Sequence, residues 1–149
     1  MATSSNSMPI FSGEYRHALD GKNRVTIPSA WRIGDSEEYF LIVSPTHGCL
    51  TAMPPDVFTS IAEKTKERFE PAKHQDFIRQ FYAKAIRSAT DKQGRLLLNE
   101  EQCKQVGLRD DVLLAGALNR FDLWSPAGWA KFQQTVQPKF EEVARDIGL

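Results

Sequence analysis

Much of what announces a function is missing from this chain. Its 149 residues include only two cysteines and three histidines. Cys49 and Cys103 are too few and too isolated for a disulfide framework or a zinc cluster, which favours a reducing compartment. His47 and Cys49 stand too close together to chelate a metal as a pair, and His17 and His74 have no partner at ligand spacing. No apolar run approaches the roughly 18 residues a membrane helix needs. The start of the chain has no basic stretch leading into an apolar one, so no secretory signal is expected; residues 1–10 read as a disordered lead-in. The expected location is cytoplasmic. Charge of one sign is also lacking: 19 Lys and Arg against 19 Asp and Glu give a formal net charge of 0. That removes any bulk-charge argument for nucleic acid and leaves only a locally basic face. There is no P-loop, dinucleotide fingerprint or nucleophile elbow, and no catalytic group, metal or cofactor is expected.

What is present is one short element, twice. Asp20-Gly21-Lys22-Asn23-Arg24 is echoed by Asp91-Lys92-Gln93-Gly94-Arg95, 71 positions later. The same shift, without a gap, lays Arg16 on Arg87, Val25 and Ile27 on Leu96 and Leu98, and Leu41-Ile42-Val43 on Val112-Leu113-Leu114. It also lays Pro55 on Pro126 and Phe58 on Trp129. Agreement in apolar period, turn position and proline at one shift is the mark of an internal duplication. Two copies are too few for a solenoid. They predict one compact unit with pseudo-two-fold symmetry.

Each copy reads alike. An apolar strand (Tyr15 to Leu19, then Ala83 to Ala89) leads into an Asp-initiated turn. The chain returns through Arg24-Val25-Thr26-Ile27, or Arg95-Leu96-Leu97-Leu98, so each motif is expected to be a hairpin. A short helix follows, capped by Ser29 and closed by Gly34 in the first copy. In the second it is capped by Asn99, with Gln102 completing a capping box and Gly107 ending it. Two strands come next: Tyr39 to Val43 and Cys49 to Met53, then Val112 to Leu118 and Phe121 to Trp124. Helices open at Pro54-Pro55 and Ser125-Pro126. Residues 75–82 form a further helical piece. Pro138 is expected to break or kink the last helix near Gln137. The long stripe Trp129, Phe132, Val136, Phe140, Val143 should pack on its repeat-mate helix or on another subunit. The predicted class is α+β, the strands of both copies pairing into one barrel-like unit with packed helices.

The combination Leu19-Asp20-x-Lys22-x-Arg24-Val25-x-Ile27-Pro28, Asp91-x-x-Gly94-Arg95-Leu96 with Gly107-Leu108, and Phe121-Asp122-Leu123-Trp124 resembles the MraZ family of bacterial transcriptional regulators. The likeness runs from about Phe11 to the final helix. It implies two tandem AbrB-like swapped-hairpin modules, at 14–61 and 85–128, joined by a helical linker at 62–83 and followed by a C-terminal helix at 129–149. It also implies a ring-shaped homo-oligomer, nucleoid-associated, that binds direct repeats in double-stranded promoter DNA of the division and cell-wall gene cluster, with repression as the favoured outcome. The candidate DNA-binding residues are Arg16, Lys22, Asn23, Arg24, Lys92 and Arg95, of which the resemblance favours Arg24 with Lys22 beside it; Asp20, Asp91 and Gly94 shape the turns. Family members commonly carry Gly where this chain has Asn23. Asn tolerates a left-handed turn next best, so the turn should survive.

Two readings of the arginines stand side by side. A guanidinium on a rigid turn can grip phosphate or a guanine edge. Alternatively, Asp20 with Arg24 and Asp91 with Arg95 are internal ion pairs that pin the turns, worth only ~0–1 kcal/mol at a surface. Sequence places Arg16, His17, Lys22, Arg24 and Arg32 in one local unit, less diluted by acids than Lys84, Arg87, Lys92 and Arg95 with Glu100 and Glu101 behind them. That makes the first tip the expected DNA reader. A symmetric pair of aspartates also evokes an aspartic-protease dyad. The motifs lack its Thr-Gly or Ser-Gly, and the adjacent Lys and Arg would hold both acids ionised. The remaining rival is a scaffold ring that binds proteins through its helix faces without DNA.

Overall fold

The structure, a computed structural model, describes residues 9–149. Of the expected lead-in, residues 1–8 lie outside the described residues. In chain order come β1 (Glu14–Ala18), β2 (Arg24–Thr26), a 3₁₀ turn (Ser29–Trp31), β3 (Glu38–Val43), β4 (Leu50–Met53), α1 (Pro55–Arg68) and α2 (Pro71–Ala83). The second copy follows with β5 (Ile86–Ala89), β6 (Arg95–Leu97), α3 (Glu100–Val106), β7 (Asp111–Gly116), β8 (Phe121–Trp124) and α4 (Pro126–Asp146).

The strand partners differ from the sequence expectation. Each Asp-initiated turn is closed by its own backbone bonds, Asp20 N to Arg24 O and Asp91 N to Arg95 O, and a single bridge joins Thr90 to Leu96, but the strands flanking each turn do not ladder with each other. β1 pairs with β7 and β5 with β3, while β2 pairs with β6. Every outer strand is thus exchanged into the other copy. The result is an antiparallel six-stranded sheet, β1-β7-β8-β4-β3-β5, and a separate β2-β6 ribbon. The 71-residue shift maps the sheet order onto its own reverse, so a pseudo-dyad runs between β4 and β8. It also passes through the ribbon, where Val25 faces Leu96. Each three-residue ribbon strand has an inward apolar residue and ends blocked by its turn, so each finds more ladder bonds on its twin than on its own β-strand neighbour.

The ribbon lies over the sheet and closes a single main core. Val25 and Leu96 are fully buried against Leu41, Leu50, Val112, Leu114, Phe121 and Leu123. Phe11 enters at the centre, 5.5 Å from Trp31, 6.3 Å from Tyr39 and 5.4 Å from Phe121 between ring centroids. The Phe11 backbone is anchored by mutual hydrogen bonds with Leu118. The unit is therefore barrel-like, with a ribbon bridging the sheet edges; β1 and β5 remain at opposite ends of the sheet.

Several local expectations hold and others are corrected. Asn99 accepts from Gln102 N, Gly107 ends α3 at φ +73°, and Ser125 accepts from Gly128 N. The Gln102 side chain does not turn back to complete a box. Its Nε2 donates instead to Leu41 O at 2.9 Å, stitching α3 to β3. Ser29 lies inside the 3₁₀ turn rather than capping it, and that turn ends at Trp31, before Gly34. The strand expected to reach Leu118 stops at Gly116, because Leu118 adopts φ +73°. Pro138 does not end α4, which is continuous from Pro126 to Asp146. The missing N–H falls on an exposed turn, where water can serve the freed carbonyl. Trp129 and Phe132 pack beside Trp124. Further along, Phe140 (60%), Val143 (57%) and Ile147 (68%) are exposed, so among the described residues nothing covers that end of the stripe. Among the described residues, no helix is long and apolar enough to cross a membrane.

Candidate nucleic-acid interface

The two Asp-x-x-x-Arg turns are built alike, atom by atom. Asp20 Oδ1 accepts from the backbone N–H of Lys22 and of Arg24, both at 2.9 Å, and Oδ2 accepts from Arg24 Nε at 2.7 Å. Asp91 Oδ1 accepts from Gln93 and Arg95 N–H at 2.9 Å, and Oδ2 from Arg95 Nε at 2.8 Å. The short Asp side chain can fold over its own turn in this way, and doing so satisfies N–H groups that no strand partner reaches. The fourth turn residue must be left-handed: Asn23 has φ +61° and Gly94 φ +79°. Each turn is then tied to the other copy, Ile27 N donating to Gly94 O and Leu98 N to Asn23 O, both at 2.8 Å.

The electrostatics follow from these contacts. The backbone N–H of Arg24, joined by that of Lys22 and the Arg24 guanidinium, holds the Asp20 carboxyl below its usual range. Asp91 is lowered likewise, first by the Arg95 N–H. Both acids stay ionised, and the ion-pair reading of Arg24 and Arg95 is realised in the geometry. Yet each pair uses only Nε. The Nη groups of Arg24 and Arg95 have no hydrogen-bond partner among the described residues. An Asp-clamped Nε fixes the plane of the guanidinium and leaves its other edge for an acceptor.

Alternation along the ribbon sends Val25 and Leu96 inward. Arg24, Thr26, Arg95 and Leu97 share the outward face, Arg24 opposite Leu97 and Thr26 opposite Arg95. Leu97 is 54% exposed. Leu97 was not legible as a surface residue, because Arg95-Leu96-Leu97-Leu98 shows no alternation. The 71-residue shift, which lays it on Thr26, is the signal that finds it. Lys22 and Lys92 are exposed at the two tips, and Asn23 is half-buried between its turn and Leu98. Arg16 stands apart on β1, its Nε 3.7 Å from Asp111 Oδ2, and Arg87 is paired with Glu38 at 2.8 Å. Arg32 is not part of the first tip. The swapped strands carry it to the second, where its Nη1 lies 3.4 Å from Gln93 O. Among the described residues no group of three or more His, Cys, Asp or Glu is placed to hold a metal ion.

Fold and turns together define a class: a pseudo-symmetric α+β protein made of two tandem copies of one strand-exchanging module, each with an Asp-clamped arginine at its turn. The family model for the MraZ protein matches residues 10–80 and again 81–149. The chain belongs to the MraZ family. It is 34% identical over 139 residues to the transcriptional regulator MraZ of Heliobacterium modesticaldum, covering 93% of this chain and 96% of that one. It is 33% identical over 146 residues to the transcriptional regulator MraZ of Clostridium beijerinckii, covering 94% of this chain and 100% of that one.

Proposed function

We propose that the protein is a sequence-specific DNA-binding regulator, a repressor of the division and cell-wall gene cluster, acting in the cytoplasm and associated with the nucleoid. Family membership supplies the class, regulation of transcription. The DNA contacts proposed are Arg24, Lys22, Asn23 and Arg16 from the first module (14–61), and Arg95 and Lys92 from the second (85–128). Asp20, Asp91 and Gly94 hold the turns. The helical linker (62–83) and C-terminal helix (129–149) flank them.

One observation carries this reading: two guanidiniums fixed on one outward ribbon face, each docked through Nε with its Nη edge unused. Strand spacings put the Arg24 and Arg95 backbones about 8 Å apart. A B-DNA major groove is about 12 Å wide and admits a two-stranded ribbon. One neutral chain offers few phosphate contacts, so tight binding requires repetition. A ring of copies on promoter direct repeats raises affinity through effective concentration, and binding should weaken steeply with salt.

The test is Arg24→Ala against Arg95→Ala, each titrated with direct-repeat and scrambled duplexes and sized by light scattering. Arg24→Ala should lose repeat-specific binding while the oligomer persists. Unfolding or disassembly instead would mean that the ion pair serves only the turn. The exposed end of α4 supports a second reading, a scaffold ring that binds proteins through its helices; absent or salt-insensitive DNA binding by the intact protein would favour it.

A further inference from the structure

The exchanged strands make the two tips chemically unequal, in the opposite sense to their sequences. Arg32 follows the 3₁₀ turn with extended backbone, and its side chain runs across the second turn. A Cβ at Gly94 would overlap its Nη1 and Cζ, so the guanidinium rests directly on the glycine backbone. Its partners are few. The contact to Gln93 O is long at 3.4 Å, and Nε is buried without an acceptor. Arg16, Arg24, Arg87 and Arg95 each have a carboxylate oxygen within 4.0 Å, whereas among the described residues Arg32 has none that close; Glu37 Oε1, in the loop that follows it, is likewise buried without a hydrogen-bond partner. A half-buried cation without a direct ion pair is a cost in the free protein that a well-placed anion would reduce. The first tip has no such group. The pseudo-symmetric position, 71 residues on, is Cys103, a buried thiol.

We propose that Arg32 grips a phosphate of the bound duplex beside Arg95, so that the second turn, with Arg32, Lys92 and Arg95, is the more firmly anchored DNA contact. A planar fork held at the edge of a turn suits a phosphate's oxygens. This inference rests on the DNA-binding reading above and assigns one more residue to it.

The test uses the full-length protein and a direct-repeat duplex, with affinity measured by fluorescence anisotropy at several salt concentrations. Arg32→Met keeps the aliphatic stem over Gly94 and removes only the charge. It should weaken binding about tenfold near 0.1 M salt, the loss of one charge-assisted contact. The slope of log affinity against log salt should become shallower by about 0.9 for each subunit engaged. Arg32→Lys should restore the slope and part of the affinity. If Arg32→Met leaves slope and affinity unchanged, the proposal is overturned. It is also overturned if sequence preference relaxes at constant slope, since Arg32 would then read a base. If the wild-type protein binds no DNA at all, it is the parent reading that fails. If Arg32→Met alone proves misfolded, Arg32→Lys and Arg32→Gln carry the same comparison, the first retaining the slope and the second losing it.

Discussion

Thr51 and Asp122, equivalent positions of the two copies, face each other across the pseudo-dyad, and Thr51 Oγ1 donates to Asp122 Oδ1 at 2.9 Å. The duplicated positions have diverged into donor and acceptor, so the sheet's crossing of the pseudo-dyad, unlike the apolar Val25–Leu96 crossing in the ribbon, is joined by a bond that identical residues would not make as well. Around it, Leu50 pairs with Leu123 and Ala52 with Phe121.

The Asp122 carboxyl is held above its ordinary value of 3.8 by burial, opposed by the Thr51 hydroxyl and by His47 and Arg120. With the folded value raised, the folded protein holds the proton longer than the unfolded chain. Stability is therefore lost as pH rises from 3.8 through the raised value, and stays lower above it. Asp122→Asn keeps an acceptor for Thr51 and has no charge to bury. It should melt higher than wild type at pH 7, with the gap closing below pH 4. Thermal melts from pH 3 to 8 decide it; an Asn variant less stable at pH 7 would show that the carboxylate itself is required.

For Asp20 and Asp91 the sign is reversed. Their carboxyls are lowered by turn N–H groups and by arginine, so their contribution is complete above 3.8 and fades as pH falls below it. Asp20→Asn keeps the turn acceptor but loses the ionic hold on Arg24 Nε. DNA affinity should drop about tenfold, as for one charge-assisted bond, with far-ultraviolet circular dichroism unchanged. Equal affinity would mean that the clamp does not orient the guanidinium.

The left-handed turn residues predict opposite effects in the two copies. Gly94→Ala meets both an unfavourable φ of +79° and the Arg32 guanidinium, and should cost more than the ~1 kcal/mol that left-handed strain alone imposes. Gly107→Ala, at φ +73° with open space around it, should cost only that strain. Asn23→Gly removes strain at φ +61° and should be neutral or stabilising by a few tenths of a kcal/mol, glycine's entropy offsetting part of the gain. Urea midpoints for the three variants give the ranking, and a Gly94→Ala no worse than Gly107→Ala contradicts it.

Phe11 is 1% exposed and touches three other core rings. Phe11→Ala should cost about 3–5 kcal/mol, as large aromatic cavities do, although the residue stands outside any regular strand ladder. A loss under about 1 kcal/mol in urea denaturation would place the segment on the surface rather than in the core.

The two thiols give a simple chemical check. Burial, with Asp122 nearby, pushes Cys49 up to about 12, and burial raises Cys103 as well. Thiolate is the reactive form, so a disulfide reagent at pH 8 should label neither until urea unfolds the chain. Rapid labelling of the native protein would contradict the burial of both.

What the sequence determined by itself is the local chemistry. Turn residues, caps and apolar period are read within a few positions of one another. Hence the duplication, the Asp-initiated turns, the Asn99, Gly107 and Ser125 caps and the α+β class were all legible. What only the tertiary structure decided is which backbone met which. A ladder bond joins N–H to C=O and carries no signature of its partner. The same turns therefore look like self-contained hairpins on paper, whereas the strands that flank them ladder with the other copy. That exchange sends Leu97 outward on the ribbon, turns Gln102 toward Leu41, and carries Arg32 from the copy that encodes it to the turn of the other.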